Sequence, residues 1–224
     1  MKHLKLNTCP STQSYLKHFL EKFDGNQQVL VSSLKQTQGK GRGSNTWLTL
    51  DHSVAMSFVL PALETPTLTP LFIGVQVIKF IKEKFNKNLY LKWPNDILNE
   101  NRQKIGGIIC QLSGDNVIVG LGLNQFIDNN SKDVENAASV FDRIEHTRCP
   151  HELASDLYQF ILSHKHNQSI TIKDWESNCL HLNELVKIDE EKGNFIGLGK
   201  YGEAQLKTPH GIKSIISGSL FFIS

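Results

Sequence analysis

Residues 89–123 read LYLKWPNDILNENRQKIGGIICQLSGDNVIVGLGL, and this stretch decides how the chain folds. Leu89 to Trp93 is a short strand that must stop at Pro94, because proline cannot donate to a ladder. Ile105–Leu112 and Val117–Leu123 are two further strands. The turn-forming tetrapeptide Ser113-Gly114-Asp115-Asn116 joins them as a hairpin. A β-sheet is therefore the centre of the molecule.

Upstream, Leu71–Phe85 carries Leu71, Val75, Ile78 and Ile81 at helical spacing, after a loop punctuated by Pro61, Pro66 and Pro70. Ser53–Leu60 and Val29–Leu34 are apolar runs of strand length. Residues 11–23 form a helix that Ser11 or Thr12 can cap, with Tyr15, Leu16, Phe19, Leu20 and Phe23 in register and Asp24-Gly25-Asn26 as its stop. Downstream, helices are expected over 150–163 and 171–182. The remainder changes character: Leu185–Ile188, Phe195–Leu198, Ala204–Leu206, Ile212–Ile216 and Leu220–Ile223 are short β-prone runs between turns. Such a pattern predicts a compact barrel. The expected division is a larger domain over 1–182 and a small β domain over 183–224.

Composition bounds the chemistry. The 224 residues are 39% hydrophobic and 21% charged, the profile of a globular chain able to bury a core without staples. A formal net charge of +2 offers no polyanion-binding signature. Cys9, Cys110, Cys149 and Cys179 are widely spaced, with no CxxC and no Cys/His cluster, so reduced thiols are expected and a zinc site is not. There is no signal peptide and no apolar run of membrane-spanning length, which points to the cytoplasm and away from a membrane.

Four segments carry chemistry. In Gln36-Thr37-Gln38-Gly39-Lys40-Gly41-Arg42-Gly43-Ser44-Asn45-Thr46-Trp47 the glycines free backbone N–H groups, and Lys40 and Arg42 add positive charge. Such a loop suits an anion. It is neither a P-loop nor a dinucleotide fingerprint. Its glycines and its lack of apolar anchors predict a segment that is mobile until a ligand orders it. Lys92-Trp93-Pro94-Asn95-Asp96 presents Asn95 and Asp96 at a strand end, where a carboxylate can meet a magnesium ion or an amine proton. Lys104-Ile105-Gly106-Gly107-Ile108 places a lysine beside strand glycines, a sign of close approach to the backbone. Gly120-Leu121-Gly122-Leu123-Asn124 repeats that sign and ends in an amide. Each has an ordinary reading when taken alone: a flexible basic loop, a Pro-Asn-Asp turn, a hairpin-end lysine beside a bulge.

In this order, the four segments resemble the catalytic part of biotin protein ligases, a family with Ser-Thr-Asn at a helix start, a QTxGRGRxGxxW loop, KWPND, K-x-x-G-I and G-I-G-x-N. The corresponding stretches here are Ser11-Thr12-Gln13, Gln36–Trp47, Lys92–Asp96, Lys104–Ile108 and Gly120–Asn124. The resemblance implies an α+β fold: a mixed sheet flanked by helices, as in class II synthetases, with a small C-terminal SH3-like β-barrel. It implies ATP-dependent formation of biotinyl-5'-AMP, with Mg2+, and transfer to a lysine of the biotin carboxyl carrier protein of acetyl-CoA carboxylase. By the same resemblance Ser11, Thr12, Gln13, Gln36, Lys40, Gly41, Arg42 and Lys104 would bind biotin. Trp47, Lys92, Asn95 and Asn124 would bind the nucleotide. Lys104, Arg42 and Asp96 would act in catalysis, with Asp96 the candidate magnesium ligand. The chain departs from the family pattern at Gln13, Lys40, Ser44 and Ser219, the last standing where the family has a glutamate.

Two other readings remain open on sequence alone. A lipoate or octanoate ligase or transferase would share the fold and also modify a carrier lysine. A nucleic-acid binder would use the basic loop and the β appendix, though the loop lacks interleaved aromatics. Ten residues before Ser11 leave no room for a helix-turn-helix, so specific DNA binding is not expected. Monomer and homodimer are equally compatible with the sequence.

Overall fold

The fold comes from a computed structural model that describes residues 1–22, 28–50, 52–128, 136–164 and 168–223, without the side chains of 168–170. A seven-stranded sheet has the order β1-β2-β3-β7-β6-β5-β4, built from β1 (Lys2–Cys9), β2 (Val29–Gln36), β3 (Ser53–Pro61), β4 (Tyr90–Lys92), β5 (Asp96–Leu98), β6 (Lys104–Ser113) and β7 (Asn116–Asn124). Only β1 and β2 run parallel; the other pairings are antiparallel, which makes the sheet mixed. The β6–β7 hairpin turns where the sequence places it, with Ser113 paired to Asn116.

Alternation along the strands sends side chains to two different covers. Leu30, Val54, Met56 and Phe58 face α2 (Thr69–Phe85) and α3 (Pro150–Ser163), where Phe58 meets Tyr158 at 4.9 Å. Helix α2 is buried almost all round, from Leu71 to Ile81, so it is apolar on most faces and not on a single stripe. On the other face Val29, Val31, Val59 and Ile118 take Leu16 of α1 (Thr12–Leu20). Ser11 caps α1, accepting from Ser14 N at 3.4 Å.

The C-terminal strands β8 (Leu185–Ile188), β9 (Glu191–Leu198), β10 (Ala204–Thr208), β11 (Gly211–Ile215) and β12 (Leu220–Phe222) form one antiparallel sheet, in the order β11-β10-β9-β8-β12. This corrects the expected closed barrel. The order has two edges, β11 is largely exposed, and β12 has only three residues, all paired to β8. The two sheets share one apolar core, to which Val186, Phe195, Leu206 and Leu220 contribute. Trp93 Nε1 donates to Gly202 O at 3.0 Å across that junction.

Three further differences have physical causes. Strand β1 was not anticipated; it pairs with β2 along its length at the sheet edge, and its alternation is blurred because little of it is buried. The last helix, α4, is Gln168–Ser177 and not 171–182. Past Ser177 the chain leaves the helix to cover the edge of β4, with Leu91 N donating to Asn178 O and Leu180 N to Leu91 O. Helix α1 ends at Leu20, and the expected Phe23 and Asp24-Gly25-Asn26 stop lie outside the described residues. All four cysteines are free thiols.

His181 is fully buried beside α4, in ring contact with Trp175, Phe195 and Phe222. Its Nδ1 lies 3.3 Å from Cys179 Sγ, and its Nε2 has no partner. Burial lowers its pKa to about 3, helped by the charges of Lys92 and Arg102.

Candidate functional site

The sheet register explains why a cleft opens beside α1. On the α1 side of the sheet, Ser57 pairs with Gly120 and Gly120 with Ile109; one row further on, Ala55 pairs with Gly122 and Gly122 with Gly107. Where the facing residues are Val59 and Ile118, the helix packs down. Where they are serine, alanine and glycine, no side chain of the sheet fills the space, and a cleft of about 420 Å³ remains. The glycines flagged in the sequence are therefore its floor.

Trp47 lies flat on that floor. A Cβ on Gly122 would stand 2.3 Å from Trp47 Cε2, so glycine is required there. Trp47 Nε1 is buried without a partner. The segment from Gly39 to Trp47 is a closed hairpin: Trp47 N donates to Gly39 O at 2.9 Å and Gly41 N to Asn45 O at 2.8 Å, with Gly43 in the left-handed region at the turn. Its apolar anchor, Trp47, is one the sequence reading did not credit. At the tip, Arg42 donates to Gly218 O and, at 3.4 Å, to Ser219 Oγ. Thus the position where the family carries an acid is the position that Arg42 reaches.

Lys104 reaches the cleft through an irregularity. Strict alternation would put it on the face of Gly106. The β5–β6 register slips between Ile97 and Leu98, pairing Leu98 with Lys104. Lys104 then lies over Gly107, whose Cβ would be 3.4 Å from Lys104 Cε. Its backbone is clamped by Asn136 O and Ala138 N, both at 2.8 Å. The ammonium is 2.5 Å from Asp96 Oδ1, while Lys92 Nζ is 3.4 Å from Asp96 Oδ2. Asp96 is the one carboxylate among the described lining residues, and each of its oxygens already faces an ammonium.

At the far end, a polar relay runs into α1. Thr12 N and Thr12 Oγ1 both donate to Gln36 Oε1, at 2.8 and 3.1 Å, and Gln36 Nε2 donates to Thr49 Oγ1 at 3.3 Å. The cleft is thus lined by neutral hydrogen-bonding groups as well as by cations.

The structure brings together Ser11, Thr12, Gln13, Gln36, Lys40, Gly41, Arg42, Trp47, Lys92, Asn95, Asp96 and Lys104 around this cleft. Asn95 spends part of its amide on the fold, with Nδ2 donating to Ile108 O at 2.6 Å. Asn124 is set apart: it does not line the cleft, and its side chain accepts from Ser53 Oγ and donates to Ala138 O, both at 3.2 Å. Its place in a nucleotide site is therefore not supported by the geometry. Ser57, Ser219, Leu220 and Phe221 line the cleft without having been singled out as binding residues. Ser57 had a faint signal, a serine inside the apolar run SVAMSFVL. Ser219 was marked only as a departure from the family pattern, and Leu220 and Phe221 had no signal, because the packing of β12 onto the cleft is a tertiary matter.

Among the described residues no group of three or more His, Cys, Asp or Glu could hold a metal. A single carboxylate is nevertheless what a magnesium ion carried on a polyphosphate uses, since phosphates and water complete its shell.

Comparison with known proteins bears on the fold and the family. The bifunctional ligase/repressor BirA of Bacillus subtilis is 29% identical over 97% of this chain and 73% of its own length. The human biotin--protein ligase is 30% identical over 51% of this chain and 18% of its own length. The biotin protein ligase of Aquifex aeolicus, solved in complex with biotin and ATP, superposes with a TM-score of 0.83 at 26% identity, covering 98% of this chain and 97% of that one. Residues 6–124, which hold every strand of the seven-stranded sheet except the first few residues of β1, match the biotin/lipoate A/B protein ligase family, and the chain belongs to that family.

Proposed function

We propose that the protein is an ATP-dependent biotin ligase that forms biotinyl-5'-AMP and transfers biotin to a lysine of a biotin carboxyl carrier protein, in the cytoplasm. The observation that carries this reading is the lining of the cleft: neutral hydrogen-bonding groups from α1, β2 and β3, the cations Lys104, Lys92, Lys40 and Arg42, and Trp47. That lining suits a ligand with a polar neutral head and a carboxylate tail lying beside a polyphosphate. The relatives named above are ligases of biotin, which favours biotin over lipoate.

The chemistry follows from the charges. A biotin carboxylate oxygen attacks the α-phosphorus of ATP, and the bond to pyrophosphate breaks. Two anions must approach, so the nearby cations lower the barrier most as charge shifts in the transition state. Lys104 holds the carboxylate, and Arg42 and Lys40 close over the adenylate. Asp96 would offer one oxygen to a Mg2+ ion arriving with ATP, which would supply charge neutralisation on the phosphates. The ε-amine of the acceptor lysine then attacks the mixed anhydride, loses a proton, and AMP departs. The hairpin over the cleft excludes water from that anhydride. Residues 1–182 carry the site, and 183–224 close its rim through Ser219, Leu220 and Phe221.

The test is direct. Incubation with ATP, Mg2+, biotin and a carrier domain should add one biotinyl group to the carrier, read by mass, with no addition when the carrier lysine is replaced. Modification by lipoate under the same conditions, and none by biotin, would refute the reading.

A further inference from the structure

Lys104 stands where the sheet stops holding it. The β6–β7 ladder ends at Gly106 and Leu123, so Lys104 lies two residues beyond the pairing that fixes the rest of β6. On its other side the register with β5 has slipped, and Lys104 pairs with Leu98 across the irregularity. Residues 136–140 take over from β7. Lys104 N donates to Asn136 O and Ala138 N donates to Lys104 O, both at 2.8 Å, so that Ala137 bridges Lys104 in parallel. Asn136 has a φ of 64° there, a left-handed conformation that asparagine adopts more readily than most residues. Both main-chain groups of Lys104 are thus bonded to a segment outside the seven strands.

Asn124 holds that segment to the sheet. It is the last residue of β7, and it is buried. Its Nδ2 donates to Ala138 O at 3.2 Å, and its backbone O accepts from Val140 N at 3.0 Å. A backbone carbonyl can only accept, so the amide must turn its nitrogen to Ala138. The hydroxyl of Ser53, directly across from Asn124 on β3, donates to Asn124 Oδ1 at 3.2 Å and keeps the amide turned that way. Ala138 therefore joins the two ends of a chain of contacts: its oxygen is held by Asn124, and its N–H holds Lys104.

We infer that Asn124 is a positioning residue for Lys104: through Ala138 it holds the segment that fixes the Lys104 backbone where the register slips, and so sets where the ammonium stands in the cleft. This rests on the proposed function, in which Lys104 holds the carboxylate, and it gives Asn124 a task other than the nucleotide contact that the family resemblance implies. A charge helps a transition state only if it is held in place, and a misplacement of about 1 Å can lower a rate on the order of 10²-fold. Asn124 supplies one side-chain bond among several that hold the segment, so its loss should cost less than that.

The experiment measures biotinyl-adenylate formation, read as pyrophosphate release, and transfer from supplied biotinyl-adenylate. The proteins are the wild type, Asn124→Ala, Ser53→Ala, Lys104→Ala, and each of the first two changes combined with Lys104→Ala. Asn124→Ala is expected to lower kcat for adenylate formation about tenfold, to leave the KM for ATP within about twofold, and to slow transfer less. Ser53→Ala, which removes only the bond that orients the amide, should act in the same direction and more weakly. An effect that passes through the ammonium vanishes when the ammonium is absent, so each double variant should form adenylate at about the rate of Lys104→Ala. If Asn124→Ala does not fold, the Ser53→Ala cycle carries the same reading. Losses of equal factor with and without Lys104 would overturn the inference and leave Asn124 a structural residue, while sparing the proposed function. A raised KM for ATP with kcat unchanged would overturn it in favour of a direct nucleotide contact. A wild type that forms no biotinyl-adenylate would overturn both the inference and the proposed function.

Discussion

Replacing Lys104 by alanine separates a chemical role from a structural one. In the folded protein the ammonium is 2.5 Å from Asp96, on a side chain that is 42% exposed. A pair that open contributes about 0.2–1 kcal/mol, so Lys104→Ala should cost the fold less than about 1 kcal/mol. The backbone clamp by Asn136 and Ala138 does not depend on the side chain, so the bulge should survive. The effect on chemistry is larger. Two unit charges at about 4 Å interact by roughly 4 kcal/mol at an effective dielectric of 20, which is the scale of repulsion between carboxylate and α-phosphate that an ammonium relieves. Loss of one preorganised group of this kind costs about 3 kcal/mol, or on the order of 10²-fold in rate. Pyrophosphate release should therefore fall on the order of 10²-fold, and transfer from supplied biotinyl-adenylate should fall less, because the repulsive encounter is already past. Asp96 adds a second signature. Without Lys104 its carboxylate keeps only Lys92, at 3.4 Å, and becomes a source of negative potential beside the phosphates. Adding Asp96→Asn to Lys104→Ala should thus cost less than Asp96→Asn costs alone. Adenylate formation at the wild-type rate in Lys104→Ala would refute the assignment and reduce the pair to a strand-end ion pair.

Two further outcomes are expected. Gly122→Ala places a Cβ inside the Trp47 ring, so Trp47 must leave the floor; the KM for ATP should rise about tenfold with biotin affinity less affected, and unchanged ATP kinetics would mean that Trp47 is not part of the nucleotide site. His181 has a folded pKa of about 3 against 6.5 in the unfolded chain, so the unfolded state binds the extra proton and stability falls as pH drops below about 6.5. At pH 5 that amounts to on the order of 2 kcal/mol relative to neutral pH, and His181→Gln should flatten the decline of Tm over pH 7 to 5, whereas an unaltered slope would exclude His181 as its source.

Much of the site was legible in the sequence because its floor needs glycine. Gly107, Gly120 and Gly122 are conspicuous inside strands, and each marks a place where a side chain would fill the cleft. The cations were legible for a related reason: Lys40 and Arg42 occur among glycines, and Lys104 two residues before a pair of them. What stayed hidden depends on register. Nothing local distinguishes Asn124, whose amide is consumed by Ser53 and Ala138, from an asparagine facing a ligand. The edge strand β1 lacks the burial that writes alternation into a sequence. The open C-terminal sheet resembles a barrel in sequence because closure is decided by pairing between the two edge strands, here β11 and β12, which strand propensity does not encode.

The same distinction accounts for Ser219. Read along the chain, it is a missing acid near the C-terminus. In space it is a contact of the cleft hairpin, since Arg42 reaches Gly218 O and Ser219 Oγ from a turn that lies 176 residues away in sequence from Gly218. A carboxylate there would hold the guanidinium with a full charge; a serine holds it through neutral oxygens. A guanidinium–carboxylate pair adds a second charge and can be bidentate, so it is stronger than the same donor on a neutral oxygen. Ser219→Glu is therefore expected to hold Arg42 more firmly at the hairpin tip. Such a change would alter how readily the hairpin tip gives up its partner, with Lys104, Lys92 and Asp96 left in place.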